Sequence, residues 1–231
     1  RATAGKVLRR GVGRSRTDAV VRTARRHATT PYAVLLTAYC AALARVLGCR
    51  ELVVGSPVTG RDRPELDATI GMFVNTVCLR AVVGEDESYG SLLRQITRGT
   101  REALAHQSYP FERLVDRLEL PRDLARNPLF DAYFALQNID FHAFHRGGLD
   151  IAVDVLNPGT TRFDLNLQAY QRPSGLVLDL EYASDLYERS TAEHLLRVFL
   201  GLLEGLAENP HRPVLPPRSV ALVPDTPDFD F

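Results

Sequence analysis

The hydrophobic pattern along this chain predicts five helices. Apolar residues recur with helical spacing in segments that begin at residues 15, 31, 87, 110 and 190. The second segment, residues 31–47, is apolar on nearly every face, which is typical of a helix packed on several sides. The predicted capping residues are Ser15, Thr30 followed by Pro31, the capping-box sequence 190–193 and, at the end of the second helix, Gly48.

Strand-like stretches lie between and after these helices. Alternating or β-branched apolar residues bounded by turn-forming residues predict strands at 5–12, 51–58, 72–83, 129–137, 149–155, 163–171 and 176–182. Strands mixed with helices in this order predict an α/β domain with a mixed sheet covered by helices on one face. We expect the folded part to span residues 1–213 and the proline-rich residues 214–231 to be a linker.

Composition limits the kinds of partner and the cellular compartment that we expect for the protein. The 28 basic and 28 acidic side chains cancel, which gives no support to binding of nucleic acid or an anionic membrane. The longest apolar run, within residues 32–46, is shorter than the ~20 residues of a membrane span. Three cysteines without metal-ligand spacing indicate a reducing compartment, so we expect a cytoplasmic protein. Lys6 is the only lysine, a bias typical of a GC-rich bacterial genome.

The length of 231 residues fits one compact domain or two small ones. The only methionine is Met72 and the chain opens at Arg1, so we expect a piece of a longer polypeptide.

Two segments could present polar groups from the ends of strands. The sequence GSPVTGR (residues 55–61) ends a strand in a glycine-flanked turn that presents Arg61. No lysine or helix start follows it, so a tight turn is favoured over a phosphate-binding loop. In IGMFVNTVCLR (residues 70–80), period two places Asn75 on the face of Phe73, Val77 and Leu79. A buried Asn must bond to backbone or to a ligand, and we favour backbone.

Two further segments are rich in polar groups. HQSYPFE (residues 106–112) joins two predicted helices, and His106 fits either a general base or a capping role. RDLARNPL (residues 122–129) is a charged loop whose charges can pair with one another. His142 and His145 lack a third ligand for a metal site. The sequence contains no Gly-x-Ser-x-Gly elbow and no recognisable Cys/His signature.

These segments, in this order, resemble the C-terminal half of a nonribosomal peptide synthetase condensation domain. IGMFVNTVCLR is similar to the fifth core motif of that family, HQSYPFE to the sixth and RDLARNPL to the seventh. The stretches TPYAVLLTAYCAALARVLG, VVGSPVTGR, TTRFDLNLQAY and LEYASDLY fit the same pattern, and the resemblance spans residues 16–213. Ser108 and Ala125 depart from the usual aspartate and serine, differences that leave membership unaffected.

The resemblance implies a fold and a set of partners. Condensation domains resemble chloramphenicol acetyltransferase, so we expect a two-layer sandwich that forms one lobe of a V-shaped, two-lobed domain. Donor and acceptor carrier proteins deliver 4'-phosphopantetheine arms to a channel between the lobes, where an amine attacks a thioester to form an amide. The implied partners are the N-terminal lobe, both carrier proteins and an adjacent adenylation domain, and the chain itself is expected to bind no cofactor.

The resemblance also implies roles for individual residues. The catalytic motif His-His-x-x-x-Asp-Gly does not occur in this chain, so we expect no catalytic residue, no metal and no activity of the chain alone. Arg61 is expected to form a salt bridge to the aspartate of that motif. The residues expected in the channel and core are Gly71, Phe73, Asn75, Thr76, Arg80, His106, Gln107, Pro110, Phe111, Arg122, Asn127, Pro128 and Asp164. Residues 140–158 are identified as a latch that crosses to the other lobe, and residues 59–68 as the loop that closes the channel floor.

Several alternatives remain open. Some condensation-like domains have lost the active site and recruit a tailoring oxygenase, which the residues before Arg1 would reveal. An epimerization domain is disfavoured because Phe73-Val74-Asn75-Thr76 differs from the Phe-Asn-Tyr-Leu-Gly string of epimerases. A heterocyclization domain is disfavoured because its signature strings are missing, and an α/β domain of unrelated function is the remaining alternative.

Overall fold

The computed structural model describes residues 3–61, 63–120, 126–137, 144–146, 149–151 and 157–215. Five α-helices lie in this part of the chain: α1 (Arg14–Arg26), α2 (Pro31–Leu47), α3 (Tyr89–Ala105), α4 (Phe111–Arg117) and α5 (Arg189–Glu208). Each of the five predicted helices is thus confirmed.

The strands form one large sheet and one small hairpin. They are β1 (Thr3–Gly11), β2 (Glu51–Val58), β3 (Asn75–Val82), β4 (Ala132–Gln137), β5 (Phe144–Arg146), β6 (Leu149–Ile151), β7 (Thr160–Thr161), β8 (Leu165–Arg172) and β9 (Gly175–Ala183). Seven of them follow the order β3-β2-β4-β8-β9-β1-β7, and within the described part of the chain β5 pairs only with β6. The β2–β4 and β4–β8 pairs are parallel and the other pairs antiparallel, which confirms the predicted mixed sheet.

The core lies between one face of the large sheet and the helices. Alternate strand residues supply the sheet side of this core, because successive side chains point to opposite faces of a strand: Val54, Leu79, Phe134, Leu167, Leu178 and Leu180. Residues on the opposite face include Arg80 and Gln168, which are exposed or half-buried. The helix side centres on α2, which contacts α1, α3 and α5. The prediction that α2 is packed on several sides is confirmed, since 12 of its 17 residues are buried.

The predicted caps of α2 are confirmed and two other predicted caps are wrong. The Thr30 hydroxyl accepts a hydrogen bond from the Ala33 N–H, and Gly48 adopts a left-handed conformation with φ of 69°. Ser15 lies inside α1, whose N-cap is Gly13. The predicted capping box does not form at α5, which starts one residue earlier at Arg189. Arg189 forms a side-chain ion pair with Glu193, 2.8 Å apart, so the glutamate does not reach back to the backbone.

Other predicted boundaries shift in the structure. The third predicted strand, 72–83, pairs only from Asn75 to Val82, and residues 72–74 belong to the preceding loop. The fourth predicted strand pairs from Ala132. Val214 is fully buried, and its carbonyl accepts a hydrogen bond from the Arg45 side chain. The packed part of the chain therefore runs past the predicted boundary at residue 213.

No single helix among the described residues is long and apolar enough to cross a membrane. Helices α1 and α2 meet that criterion only when taken together, by length and composition, and they are bent by 106° at their junction.

Substitution of Gly55 tests how tightly β2 packs against Phe130, which precedes β4. A Cβ at Gly55 would lie 2.3 Å from ring carbons of Phe130, which is only 5% exposed. We expect Gly55→Ala to lower the free energy of unfolding by about 1–3 kcal/mol through overpacking. The matched control is Gly99→Ala in α3, where a Cβ meets nothing within 4 Å and the substitution should stabilise by about 1 kcal/mol. Urea unfolding measures both, and a similar effect of the two substitutions would contradict the prediction.

Buried thiols make stability depend on pH. Burial raises the pKa of the Cys40 thiol to about 12, whereas a thiol in an unfolded chain titrates near ~8.5. Between these values the unfolded chain loses a proton that the folded chain keeps. The contribution is therefore fully present below about pH 8.5 and decreases above it, by up to about 1.4 kcal/mol per pH unit.

Urea unfolding at pH values from neutral to about pH 9, below the pKa of about 10 of an ordinary tyrosine, measures this dependence. We expect the stability of Cys40→Ala to fall less steeply with pH than that of the unsubstituted chain. Equal slopes for the two proteins would show that the Cys40 thiol is not the cause.

Candidate functional site

Asn75 connects the start of β3 to the turn between α3 and α4. Its Nδ2 donates hydrogen bonds to the carbonyls of Gln107 and Tyr109, at 2.8 and 2.7 Å. Its Oδ1 accepts a hydrogen bond from the N–H of Phe111, at 3.1 Å. These bonds, here called the Asn75 clamp, show that the side chain bonds to backbone, as we favoured from the sequence.

The turn needs such a partner because its own residues break the helical hydrogen-bond pattern. Helix α3 ends at Ala105 with His106 as its C-cap, and Pro110 is the N-cap of α4. Backbone groups between the two helices have few intrahelical partners, so a side-chain amide can satisfy several of them. His106 has an exposed side chain and its N–H bonds to the Ala103 carbonyl, which fits the capping interpretation.

Arg61 organises the loop formed by residues 59–74, here called the β2–β3 loop. Its guanidinium donates to the carbonyls of Leu66, Thr69 and Gly71, the last two at 3.0 and 3.3 Å. It also lies 4.5 Å from the centroid of the Phe73 ring, a cation–π distance. The ion pairs found among the described residues do not include Arg61. In this structure Arg61 therefore holds the loop in shape from within.

The loop also depends on a glycine. Gly60 has a φ of 63°, and a Cβ there would lie 1.9 Å from the Phe73 carbonyl oxygen. Only glycine allows the two ends of the loop to approach this closely.

The outer side of the β2–β3 loop is apolar and uncovered. Ile70 and Met72 are 101% and 91% exposed, and Val74 is 60% exposed. Soluble monomers rarely leave several large apolar side chains together on the surface, and such patches mark interaction sites.

Two cavities adjoin at the turn held by the Asn75 clamp. The smaller, here called the loop cavity, has a volume of about 310 Å³ and lies between residues 72–75 of the loop end and Gln107, Pro110 and Glu112. The larger, here called the helix cavity, has a volume of about 500 Å³ and lies between the start of α2, α3 and the ends of β2 and β3. Gln107 lines both, so the clamp fixes the residue at their junction.

Aromatic rings connect this turn to the middle of the sheet. The Phe111 ring lies 5.6 Å from that of Phe130, which lies 5.7 Å from that of Phe163. Phe163 stacks on Tyr133 with centroids 4.3 Å apart. Burial raises the pKa of Tyr133 to about 12, and Thr76 on β3 hydrogen-bonds to it. A continuous series of contacts thus connects Phe111 to Thr76. Of the residues in this cluster, only these two were expected from the three core motifs.

The other predicted residues lie away from the cavities. Arg80 is exposed on β3, and its Nε pairs with Glu51 at 2.7 Å. The Asn127 side chain donates to the Arg162 carbonyl at 3.0 Å, next to the exposed Pro128. The carbonyl of Asp164 accepts a hydrogen bond from the Ala183 N–H at 3.0 Å. Arg122 lies outside the described residues, as does most of the predicted latch.

The motifs also missed residues of the helix cavity. The Tyr32 hydroxyl donates a hydrogen bond to Ser56 Oγ at 2.7 Å. The Ser56 hydroxyl in turn donates to the Phe134 carbonyl, also at 2.7 Å. No local signal separates Tyr32 from an ordinary core aromatic residue. Among the described residues, no group of three or more His, Cys, Asp or Glu side chains could hold a metal ion.

The clamp predicts a stability difference between two Asn→Asp substitutions. Asn75→Asp removes both N–H donors and turns a carboxylate toward two carbonyls, so we expect a loss of about 1–3 kcal/mol. Asn127→Asp removes one such bond and should cost about 1 kcal/mol or less. Urea unfolding measures both losses, and the Phe111 N–H keeps its acceptor because aspartate retains Oδ1. A loss in Asn75→Asp no larger than that in Asn127→Asp would contradict the clamp.

Comparison with known proteins identifies the family. The family described as Condensation domain matches residues 2–227. Surfactin synthase subunit 1 of Bacillus subtilis (strain 168) is 38% identical over 197 residues, which cover 85% of this chain and 6% of that protein. Tyrocidine synthase 3 of Brevibacillus parabrevis is 39% identical over 175 residues, which cover 76% of this chain and 3% of that protein. The chain thus spans a small part of these relatives.

Solved structures show the same fold. A four-domain nonribosomal peptide synthetase, holo-AB3403 bound to AMP and glycine, superposes with a TM-score of 0.83 at 21% identity, over 92% of this chain and 18% of that chain. The first condensation domain of the calcium-dependent antibiotic synthetase, in complex with a substrate analogue, gives a TM-score of 0.73 at 27% identity, over 93% of this chain and 46% of that chain. The chain therefore belongs to the condensation domain family of nonribosomal peptide synthetases.

Proposed function

We propose that this chain is the C-terminal lobe of a condensation domain and supplies one wall of the channel in which amide bonds form. One observation carries this proposal. The Asn75 clamp joins the segments similar to the fifth and sixth motifs around the loop cavity, beside an apolar loop surface that nothing described covers. The length of the chain supports the same proposal. The superposition covers 93% of this chain but only 46% of the solved condensation domain, as expected for one of two lobes.

The exposed side of the β2–β3 loop supports a contact with the N-terminal lobe. Covering Ile70 and Met72 would remove two almost fully exposed apolar side chains from water, each worth about 1.5–3 kcal/mol when fully buried. Arg61 lies in the same loop, and its guanidinium would form the salt bridge to the aspartate of His-His-x-x-x-Asp-Gly. Such a bridge would link the shape of the loop to the position of the catalytic motif.

The β5–β6 hairpin supports a second contact. Among the residues that the structure describes, these two strands pair with each other and with no strand of the large sheet. A hairpin alone is marginally stable, so it is suited to pack against another surface. It would be the centre of the latch that crosses to the N-terminal lobe.

The chemistry divides between the two lobes. The acceptor amine attacks the donor thioester carbonyl, a C–N bond forms, the C–S bond breaks, and the phosphopantetheine thiol leaves with a proton that originates on the amine. The histidine of the N-terminal lobe would act on the amine. The residues of this chain would shape the channel wall around the loop cavity and exclude water, with no catalytic group of their own.

The partners follow from this arrangement. A donor and an acceptor carrier protein would dock at opposite mouths of the channel and bring the phosphopantetheine arms, and an adenylation domain would be a neighbour. The surfactin and tyrocidine synthases are multidomain relatives of which this chain matches only 6% and 3%, which fits a role as one part of an assembly.

Reconstitution tests the proposal. We expect this chain alone to form no amide between two loaded carrier proteins. Joined to the N-terminal lobe that precedes it, it should form the amide, detected by mass spectrometry of the acceptor carrier. Substitution of the second motif histidine by alanine in that lobe is the matched control and should reduce the rate by about 10²–10⁴-fold.

An assembled, folded pair with an intact motif that yields no amide would contradict the proposal. If that pair instead binds an oxygenase, the domain recruits a tailoring enzyme. Amide formation by the present chain alone would equally overturn the division of labour between the lobes.

A further inference from the structure

The helix cavity lies between the start of α2, α3 and the ends of β2 and β3. Its volume of about 500 Å³ falls within the range of about 300–1,000 Å³ typical of small-molecule sites. It adjoins the loop cavity at Gln107, and its lining residue Thr59 directly precedes Gly60 of the β2–β3 loop. A group attached to a substrate in the loop cavity would therefore lie next to the helix cavity.

The inner walls of the helix cavity are apolar. The sheet supplies Val58, Val77 and Leu79, α2 supplies Ala33, and α3 supplies Leu104. Val58 and Leu79 are buried, whereas Leu104 is 44% exposed and so stands at the mouth. Filling such a space with an apolar group removes surface from water on both sides.

The polar groups of the helix cavity are mostly satisfied by one another. The Thr29 and Thr97 hydroxyls bond to each other at 2.7 Å, and Arg101 at the rim donates to the Ala28 carbonyl at 3.2 Å. Burial raises the pKa of Tyr32, so that hydroxyl stays neutral. The lining includes no acidic side chain. The cavity therefore offers no charge partner for a cationic ligand.

One polar atom beside the helix cavity has no hydrogen-bond partner among the described residues. Thr100 lines the cavity, but its Oγ1 is buried and has almost no surface open to it. The cavity therefore offers a ligand no polar partner at this oxygen, which favours an apolar ligand.

We propose that the helix cavity receives the uncharged, largely apolar side chain of the aminoacyl substrate, such as that of leucine, phenylalanine or tyrosine. This inference rests on the proposed function, because it takes the substrate to lie in the adjoining loop cavity. It assigns side-chain selection to residues of α2 and α3, outside the three sequence motifs.

Ligand titration of the 231-residue chain tests this proposal without turnover. The probes are N-acetyl-L-phenylalaninamide and, as the cationic comparison, N-acetyl-L-lysinamide. Methyl NMR of Ala33, Val77 and Leu104 should show saturable shifts with the phenylalanine probe and none with the lysine probe.

Substitution at the mouth provides the matched comparison. Leu104→Trp places a larger ring in the entrance and should weaken binding of the phenylalanine probe by about tenfold, which corresponds to ~1.4 kcal/mol. Leu118→Trp is the control, because Leu118 is exposed to a similar degree, 49%, and does not line the cavity. Both sites are exposed, so neither variant should unfold the chain, which circular dichroism checks.

The proposal is overturned if the phenylalanine probe shifts no methyl group of the cavity, if both probes bind equally, or if the two tryptophan variants behave alike. These outcomes leave amide formation by the assembled domain intact. Failure of amide formation, in turn, would not change where the probes bind, so the two proposals fail separately.

Discussion

The structure depends on the burial of α2 on nearly all sides. This helix carries almost no exposed polar surface, so α1, α3, α5 and the sheet must surround it to keep its side chains from water. The position of α3 is thereby fixed, and with it the turn that leads to α4. Asn75 then attaches that turn to β3 through three hydrogen bonds. The geometry of the candidate site is therefore a consequence of core packing, completed by one polar side chain.

Local signals predicted the helices and most strands, because the information lies within a few residues. Thr30, Pro31 and Gly48 each act on their own helix end, and all three behave as expected. Ser15 and the sequence 190–193 are also typical capping residues, but neither forms the predicted cap. Gly13 caps α1 instead, and Glu193 pairs with Arg189. A capping motif shows that a side chain is able to cap a helix, but competing partners nearby determine whether the cap forms.

The site was harder to predict because its contacts join distant parts of the chain. Asn75 could be recognised as a side chain that needs partners, but those partners lie 32 to 36 residues further on. The expected salt bridge of Arg61 to a carboxylate outside this chain stays a prediction, and the sequence did not indicate that its guanidinium also bonds to carbonyls of its own loop. The helix cavity has no motif at all, since its walls are ordinary core residues whose spacing depends on how α3 lies against the sheet. The family resemblance indicated which segments matter, whereas the two cavities between them became visible only in the structure.

The buried position of Val214 has a mechanical consequence. The Arg45 side chain near the C-terminal end of α2 holds the Val214 carbonyl, whereas the helix cavity lies at the N-terminal end of the same helix. The 17 residues of α2 span about 25 Å at ~1.5 Å per residue. The segment that ends at Leu215 is thus anchored at one end of α2, and the helix cavity lies at the other end. A displacement of this segment would have to be transmitted along the whole length of α2 to reach the cavity.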